Sequence, residues 1–218
     1  PLLIGSAGTC GTDKTVDWFL EITKELAKEL NQNIKITLLK CSQSKKNINK
    51  AFLNKNLSPL NNAPKISSKK IINCTNIVGL AGVEQITEAI NTKADIIICG
   101  RSTDASLIAS LPIMKGVDEA IAWHAGKIGE CGAFCTTNPR SGVILISFQK
   151  NGFFIKPVTN NTKVTPYTVS AHMVYENSNP FTLIEPGGHL DVKNAIYEKQ
   201  KDGSVYLSLI HISEPTRP

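Results

Sequence analysis

No run of apolar residues in this chain approaches the roughly 20 that a membrane-spanning helix needs, so the sequence offers no spanning segment. No secretory leader is visible either. The chain opens on Pro1 directly in a strand-like run, however, so its natural start is expected upstream and the missing leader decides nothing. Repeats of solenoid type are absent. The G-x-x-x-x-G-K-S/T of a P-loop and a strict G-x-G-x-x-G are absent too. Aromatic residues make up only 6%, and the lysine-rich stretch Lys40–Lys70 contains one aromatic, Phe52, and no arginine. Base stacking and bidentate base readout have little to work with there, so the lysines read as a solvated face and no nucleic-acid partner is expected.

Six cysteines sit at positions 10, 41, 74, 99, 131 and 135 without regular spacing. At this length a disulfide framework is not expected, and a reducing, cytoplasmic compartment fits better. Cys131 and Cys135 resemble half a metal site, but no second pair or spaced histidine pair completes it, so no metal is expected. No motif names a cofactor.

What is present begins with Pro1-Leu-Leu-Ile-Gly-Ser-Ala-Gly-Thr-Cys-Gly-Thr-Asp13. Apolar strand runs into a loop with glycines at 5, 8 and 11, and an amphipathic helix follows from about Lys14 to Leu30, capped by Thr12 or Asp13. Strand–loop–helix junctions of this kind aim backbone N–H groups and a helix N-terminus at an anion. Ser6 and Thr9 would add hydroxyl donors, with Asp13 as cap or base. A tight turn needing glycine for backbone reasons is the plain alternative.

Ile34–Leu39 reads as a strand pairing in parallel with Leu2–Gly5. Gly82–Asn91 reads as a helix, and Asp95–Cys99 as a strand buried on both faces. That strand ends in Gly100-Arg101-Ser102-Thr103-Asp104 before another helical stretch, so two strands end in similar loops. A parallel sheet would bring both loops to one carboxyl edge, where such folds bind ligands. Helix Ala120–Cys131 follows. Beyond Gly142 the texture changes to a hairpin around Asn151-Gly152, a short helix Thr168–Tyr175 and a Pro/Gly-rich stretch.

The fold class predicted is α/β, a mostly parallel sheet with flanking helices followed by a smaller mixed α+β part. The domains expected are 1–138 and 139–206. Leu207–Pro218 resembles the translation of a sequencing-library adapter and is set outside the fold.

Arg101 is the only arginine before Arg140, and at a strand's carboxyl end it suits capture of a carboxylate or phosphate. A structural pair with Asp104 or Asp95 is the alternative. His124, Lys127 and Cys131 share one helix face, with Glu130 to one side, and could form an acid–base and nucleophile group. A buried histidine with a packed cysteine is the plainer reading. His172, Tyr175 and Glu176 show i, i+3, i+4 spacing on a second helix, and Glu185 and His189 flank Gly187-Gly188. Convergence of His124, His172 and His189 would argue for catalysis or metal binding.

Five ordered phrases together resemble one family. They are Pro1–Gly8 with Asp13; Ala94-Asp95 leading to Gly100–Asp104; Ala122-Trp-His-Ala-Gly-Lys-Ile-Gly-Glu-Cys-Gly132; Ser170-Ala-His-Met-Val-Tyr-Glu-Asn177; and Glu185-Pro-Gly-Gly-His-Leu-Asp191. The set resembles the acyclic terpene utilisation (AtuA) family over Pro1–Tyr206. Where relatives usually carry Gly-Gly, this chain has Cys10-Gly11. The resemblance implies a role in catabolism of acyclic terpenes such as citronellol and geraniol, in genetic company with acyl-CoA carboxylases and hydratases. It also implies further sequence on both sides of this central fragment.

Function is therefore expected in acyclic terpenoid or branched acyl-CoA catabolism. CoA phosphates or a substrate carboxylate would lie on Gly5, Ser6, Gly8, Gly11, Asp13, Gly100, Arg101, Ser102 and Asp104, and on Glu185, Gly187, Gly188 and His189. Lyase, hydratase or hydrolase chemistry would fall to His124, Lys127, Glu130 and His172. The alternative is a non-catalytic binding or assembly subunit of an acyl-CoA carboxylase complex. Further copies of the chain are a third partner class.

Overall fold

The computed structural model describes residues 1–60, 63–174, 179–185 and 188–209. They fall into two compact units. The first is Pro1–Ala81 with Ala89–Ser102, and the second is Gly82–Glu88 with the chain from Thr103 onwards.

In the first unit, β1 (Leu2–Ile4), β2 (Ile36–Leu39) and β3 (Ile96–Cys99) form a parallel sheet in the order β1-β3-β2. The expected direct pairing of β1 with β2 does not form; Leu3 and Thr37 both pair with Ile97 from opposite sides. The reason lies in composition. Ile96–Cys99 is the apolar strand whose side chains are buried, with Ile97, Ile98 and Cys99 fully so while Leu2 of β1 is exposed, and only a central strand is covered on both edges and both faces. Helix α1 (Asp13–Glu29) starts at Thr12, whose hydroxyl accepts from the Thr15 N–H. Val16 packs with Ala7 and Ile98, and Phe19 and Leu20 support them. The apolar stripe reaches farther than its cover does, since Leu26 and Leu30 are exposed. Two short helices, α2 (Lys45–Leu53) and α3 (Ser68–Asn73), lie between β2 and α4 (Val83–Asn91).

The second unit holds α5 (Asp104–Met114) and α6 (Glu119–Gly129), a 3-10 turn at Gly132–Cys135, β4 (Ile144–Gln149), β5 (Gly152–Pro157), α7 (Pro166–His172), β6 (Thr182–Glu185), β7 (Gly188–Asp191), β8 (Ala195–Lys199) and β9 (Val205–Leu209). The sheet runs β4-β5-β9-β8, all antiparallel, and β6 pairs antiparallel with β7. The mostly parallel expectation therefore holds for the first unit alone. Short links join β4 to β5, β6 to β7 and β8 to β9, whereas parallel neighbours need a crossover of a dozen or more residues. Helices α5 and α6, grouped by sequence with the parallel sheet, belong to this unit.

Ile121, Ala125 and Ile128 of α6 pack on Phe153, Ile155, Val205 and Leu207 of the sheet, with Val169, Leu183 and Leu190 completing the core. Each fully buried Val, Leu, Ile or Phe side chain among them contributes about 1.5–3 kcal/mol. Gly126 lets α5 and α6 close up, because a Cβ there would lie 2.4 Å from the Ala105 carbonyl oxygen. The boundary set at Leu207 falls inside β9, where Leu207 is fully buried opposite Phe153. The alternation of Val205 and Leu207 simply continues the strand. Residues 210–218 lie outside the described residues.

Candidate functional site

Strands β1 and β3 are hydrogen-bonded neighbours running the same way, so their carboxyl ends deliver Gly5–Asp13 and Gly100–Ser102 side by side. The two loops are knitted together. The Ser6 N–H donates to Gly100 O at 3.2 Å, Ala7 N–H to Cys99 O at 3.0 Å, and Arg101 N–H to Gly11 O at 2.9 Å. Ser6 Oγ donates to Ser102 O at 3.3 Å and accepts from the Ser102 N–H at 3.4 Å. Ser6, Gly8, Thr9 and Gly11 all have left-handed backbone, with φ from 45° to 69°. At Gly11 the need for glycine is steric as well, since a Cβ would lie 2.3 Å from Arg101 N. This glycine serves the approach of loop to loop. Asp13 is likewise occupied: its Oδ1 accepts from the Cys41 N–H at 3.0 Å and the Ser42 N–H at 2.9 Å, anchoring the exit of β2.

Other donors stay open. Among the described residues the Gly8 and Thr9 N–H groups donate to nothing. Ser102 is fully buried and its Oγ has no partner among the described residues. The side chain of the half-buried Arg101 donates one bond among the described residues, from Nη1 to Thr9 O at 3.2 Å, and has no ion-pair partner there. Asp95, offered by the sequence as its mate, instead accepts from the Lys35 N–H at 2.7 Å. The exposed Cys10 thiol is drawn below its usual range by the Thr12 N–H and by the Thr12 and Thr15 hydroxyls.

A second cluster lies wholly in the other unit. Helix α6 presents Lys127, its C-cap residue Glu130 lies one turn on, and β6 brings in Glu185. Lys127 Nζ lies 2.8 Å from Glu130 Oε1 and 3.7 Å from Glu185 Oε1, with the three side chains only 12–17% exposed. Burial pushes Glu185 above the usual carboxylate range, with the Glu130 and Asp104 charges adding to it and Lys127 opposing. Burial works against the Lys127 ammonium, but its bond to Glu130 and the charges of both glutamates outweigh that and raise it. The arrangement sets a carboxyl whose pKa is raised by burial beside an amine held protonated by its carboxylate partners. Of the two, only Glu185 is shifted towards neutral pH, the direction that suits a general acid or base.

His124 has other partners. His124 is fully buried, edge-on to Phe153 with ring centroids 5.5 Å apart, and its Nε2 lies 3.2 Å from Tyr197 Oη. Its Nδ1 has no partner among the described residues. Burial lowers its pKa to about 3, so the ring is neutral and a poor base near pH 7. The Cys135 thiol is pushed up to about 12 by burial, and it donates to Ile128 O at 3.5 Å. Both residues are core furniture. His172 is buried at the end of α7, while His189 is exposed on β7 opposite Ile184, on the hairpin face away from Leu183 and Leu190. No group of three or more His, Cys, Asp or Glu among the described residues is placed to hold a metal ion. Gly188 pairs with Glu185 in the hairpin; Gly187, Tyr175 and Glu176 lie outside the described residues. Tyr197 escaped the sequence reading because nothing local marks a strand tyrosine as the partner of a histidine 73 positions away.

A family model described as "Acyclic terpene utilisation family protein AtuA" matches residues 3–218. The chain belongs to that family. No curated protein and no solved structure matches it. Membership carries a role in acyclic terpene utilisation. No helix among the described residues is long and apolar enough to cross a membrane.

Proposed function

We propose that this AtuA-family chain binds a small anion of acyclic terpenoid breakdown, a free carboxylate or an acyl-CoA, at the loops joined by Arg101. The observation that carries the reading is an arginine with no carboxylate partner among the described residues at the carboxyl edge of a parallel sheet. The N–H groups of Gly8 and Thr9 and the buried Ser102 hydroxyl extend the donor set. A guanidinium offers five donors and rarely leaves them idle. The reading places the protein in the cytoplasm, where its six thiols stay reduced.

Calorimetric titration with geranate, citronellate, coenzyme A and a short acyl-CoA tests it. At least one is expected to bind, and Arg101→Ala is expected to weaken that ligand about tenfold to a hundredfold, the worth of a charge-assisted bond. Flat titrations across the set would sink the ligand and favour a carboxylase assembly role. Unchanged affinity in Arg101→Ala would sink the loop assignment. Glu185 beside Lys127 and Glu130 favours a second reading in addition: acid–base chemistry of the lyase, hydratase or hydrolase type at that cluster.

A further inference from the structure

Between Lys40 and Val83 the chain carries eight lysines and not one aspartate, glutamate or arginine. Every one of those lysines is exposed. Only Lys40 has an ion-pair partner among the described residues, Asp17. The same segment exposes large apolar side chains, among them Leu53 at 64% and Leu60 at 84%, with Leu57, Ile66 and Ile72 also outside. Helix α2 shows how the two sets arise. Ile48, Ala51 and Phe52 are half-buried, and this leaves Lys45, Lys46, Lys50 and Leu53 outward. Read from sequence alone, the lysines are a solvated face; exposed leucine and isoleucine interleaved with uncompensated lysine is a different surface.

Its charge demands an anionic partner, and its chemistry selects among anions. Nucleic acid would call on arginine and stacking aromatics, which the segment lacks apart from the half-buried Phe52. Protein interfaces favour aromatics and arginine and disfavour lysine. Lysine with aliphatic side chains is the composition that meets a negatively charged bilayer, ammonium groups at the phosphates and aliphatic tips at the acyl boundary. We propose that the exposed lysines and aliphatic side chains of Lys40–Leu60 and Ala63–Ile72, around α2 and α3, form a peripheral docking surface for anionic phospholipid.

Co-sedimentation of the full chain with vesicles tests this. Vesicles of phosphatidylcholine with phosphatidylglycerol should retain the protein at low salt and release it at high salt, and phosphatidylcholine alone should not retain it. Reversing Lys45, Lys46 and Lys50 to glutamate should cost at least about a hundredfold in affinity, since each lysine is worth on the order of fivefold near such a surface. Leu53→Ser with Leu60→Ser should weaken binding without changing its salt dependence. All these positions are exposed, and circular dichroism confirms the fold; reversing Lys65, Lys69 and Lys70 gives an independent second set. Equal retention by the two vesicle types, or retention indifferent to both lysine sets, would overturn the proposal. Tighter binding to duplex DNA or polyglutamate than to the charged vesicles at the same salt would do so too. Vesicle binding and titration with soluble anions read different surfaces, so either can fail alone.

Discussion

His124 shows most sharply how burial redirects a residue's chemistry. The same imidazole that a helix-face pattern offers as a base is enclosed by Phe153 and Tyr197 and held neutral. Its folded pKa is depressed to about 3 from an ordinary 6.5. Between those values the unfolded chain binds a proton that the folded core refuses, so wild-type stability falls as pH drops through that window, by up to about 1.4 kcal/mol per pH unit. His124→Leu removes this linkage. At pH 7 it is expected to cost about 1–3 kcal/mol by orphaning the Tyr197 hydroxyl, and the cost should shrink or reverse towards pH 4. Urea denaturation at both pH values checks it, and a cost equal at the two would refute the assignment. Lys127 and Glu130 lie three positions apart, although the helix-face pattern set Glu130 to one side of Lys127; Glu185, 55 positions beyond Glu130, was not legible as their companion. Only the β6–β7 hairpin's packing against the rest of its unit supplies that link.

Elements were read better than their neighbours. Helix α1, the β4–β5 hairpin and the buried strand β3 each follow from local pattern: a cap and a 3.6-residue stripe, a turn between alternating runs, an unbroken apolar stretch. The turn itself differs by one position, since Gln149 pairs with Gly152 and leaves Lys150 and Asn151 as the loop. Sheet order was misjudged because adjacency in sequence suggested β1 beside β2, whereas burial of both faces put β3 between them. Close approach between helices was not legible at all. Gly126 reads as an ordinary weak helix residue until Ala105 is seen against it. Gly126→Ala, favourable by propensity alone, is therefore expected to destabilise by about 1–3 kcal/mol through overpacking. Chemical denaturation that showed a gain in stability would mean α5 and α6 separate readily.

On the scale of the whole molecule, the chain pairs a small parallel α/β unit with an antiparallel α+β unit, and each carries one chemically plausible cluster. On the proposed reading, anion capture would belong to the first and proton transfer to the second. A ligand raises the stability of what it binds by RT ln(1 + [L]/Kd), about 2.7 kcal/mol at a hundredfold excess over Kd, and amide exchange reports where that stability appears. With a titrated geranate or acyl-CoA near saturation, exchange should slow first at Ser6–Thr9 and at Arg101 and Ser102, whose N–H groups either lack a partner or hold the two loops together. Residues Lys127, Glu130 and Glu185 should slow less. Protection appearing only around the Lys127 cluster would move the anion to the second unit. There the positive charge of Lys127 already faces two glutamates, so binding should then strengthen as pH falls and Glu185 takes up its proton. Measuring exchange at two pH values thus assigns the ligand to Arg101 or to Lys127 by its location and its proton dependence together.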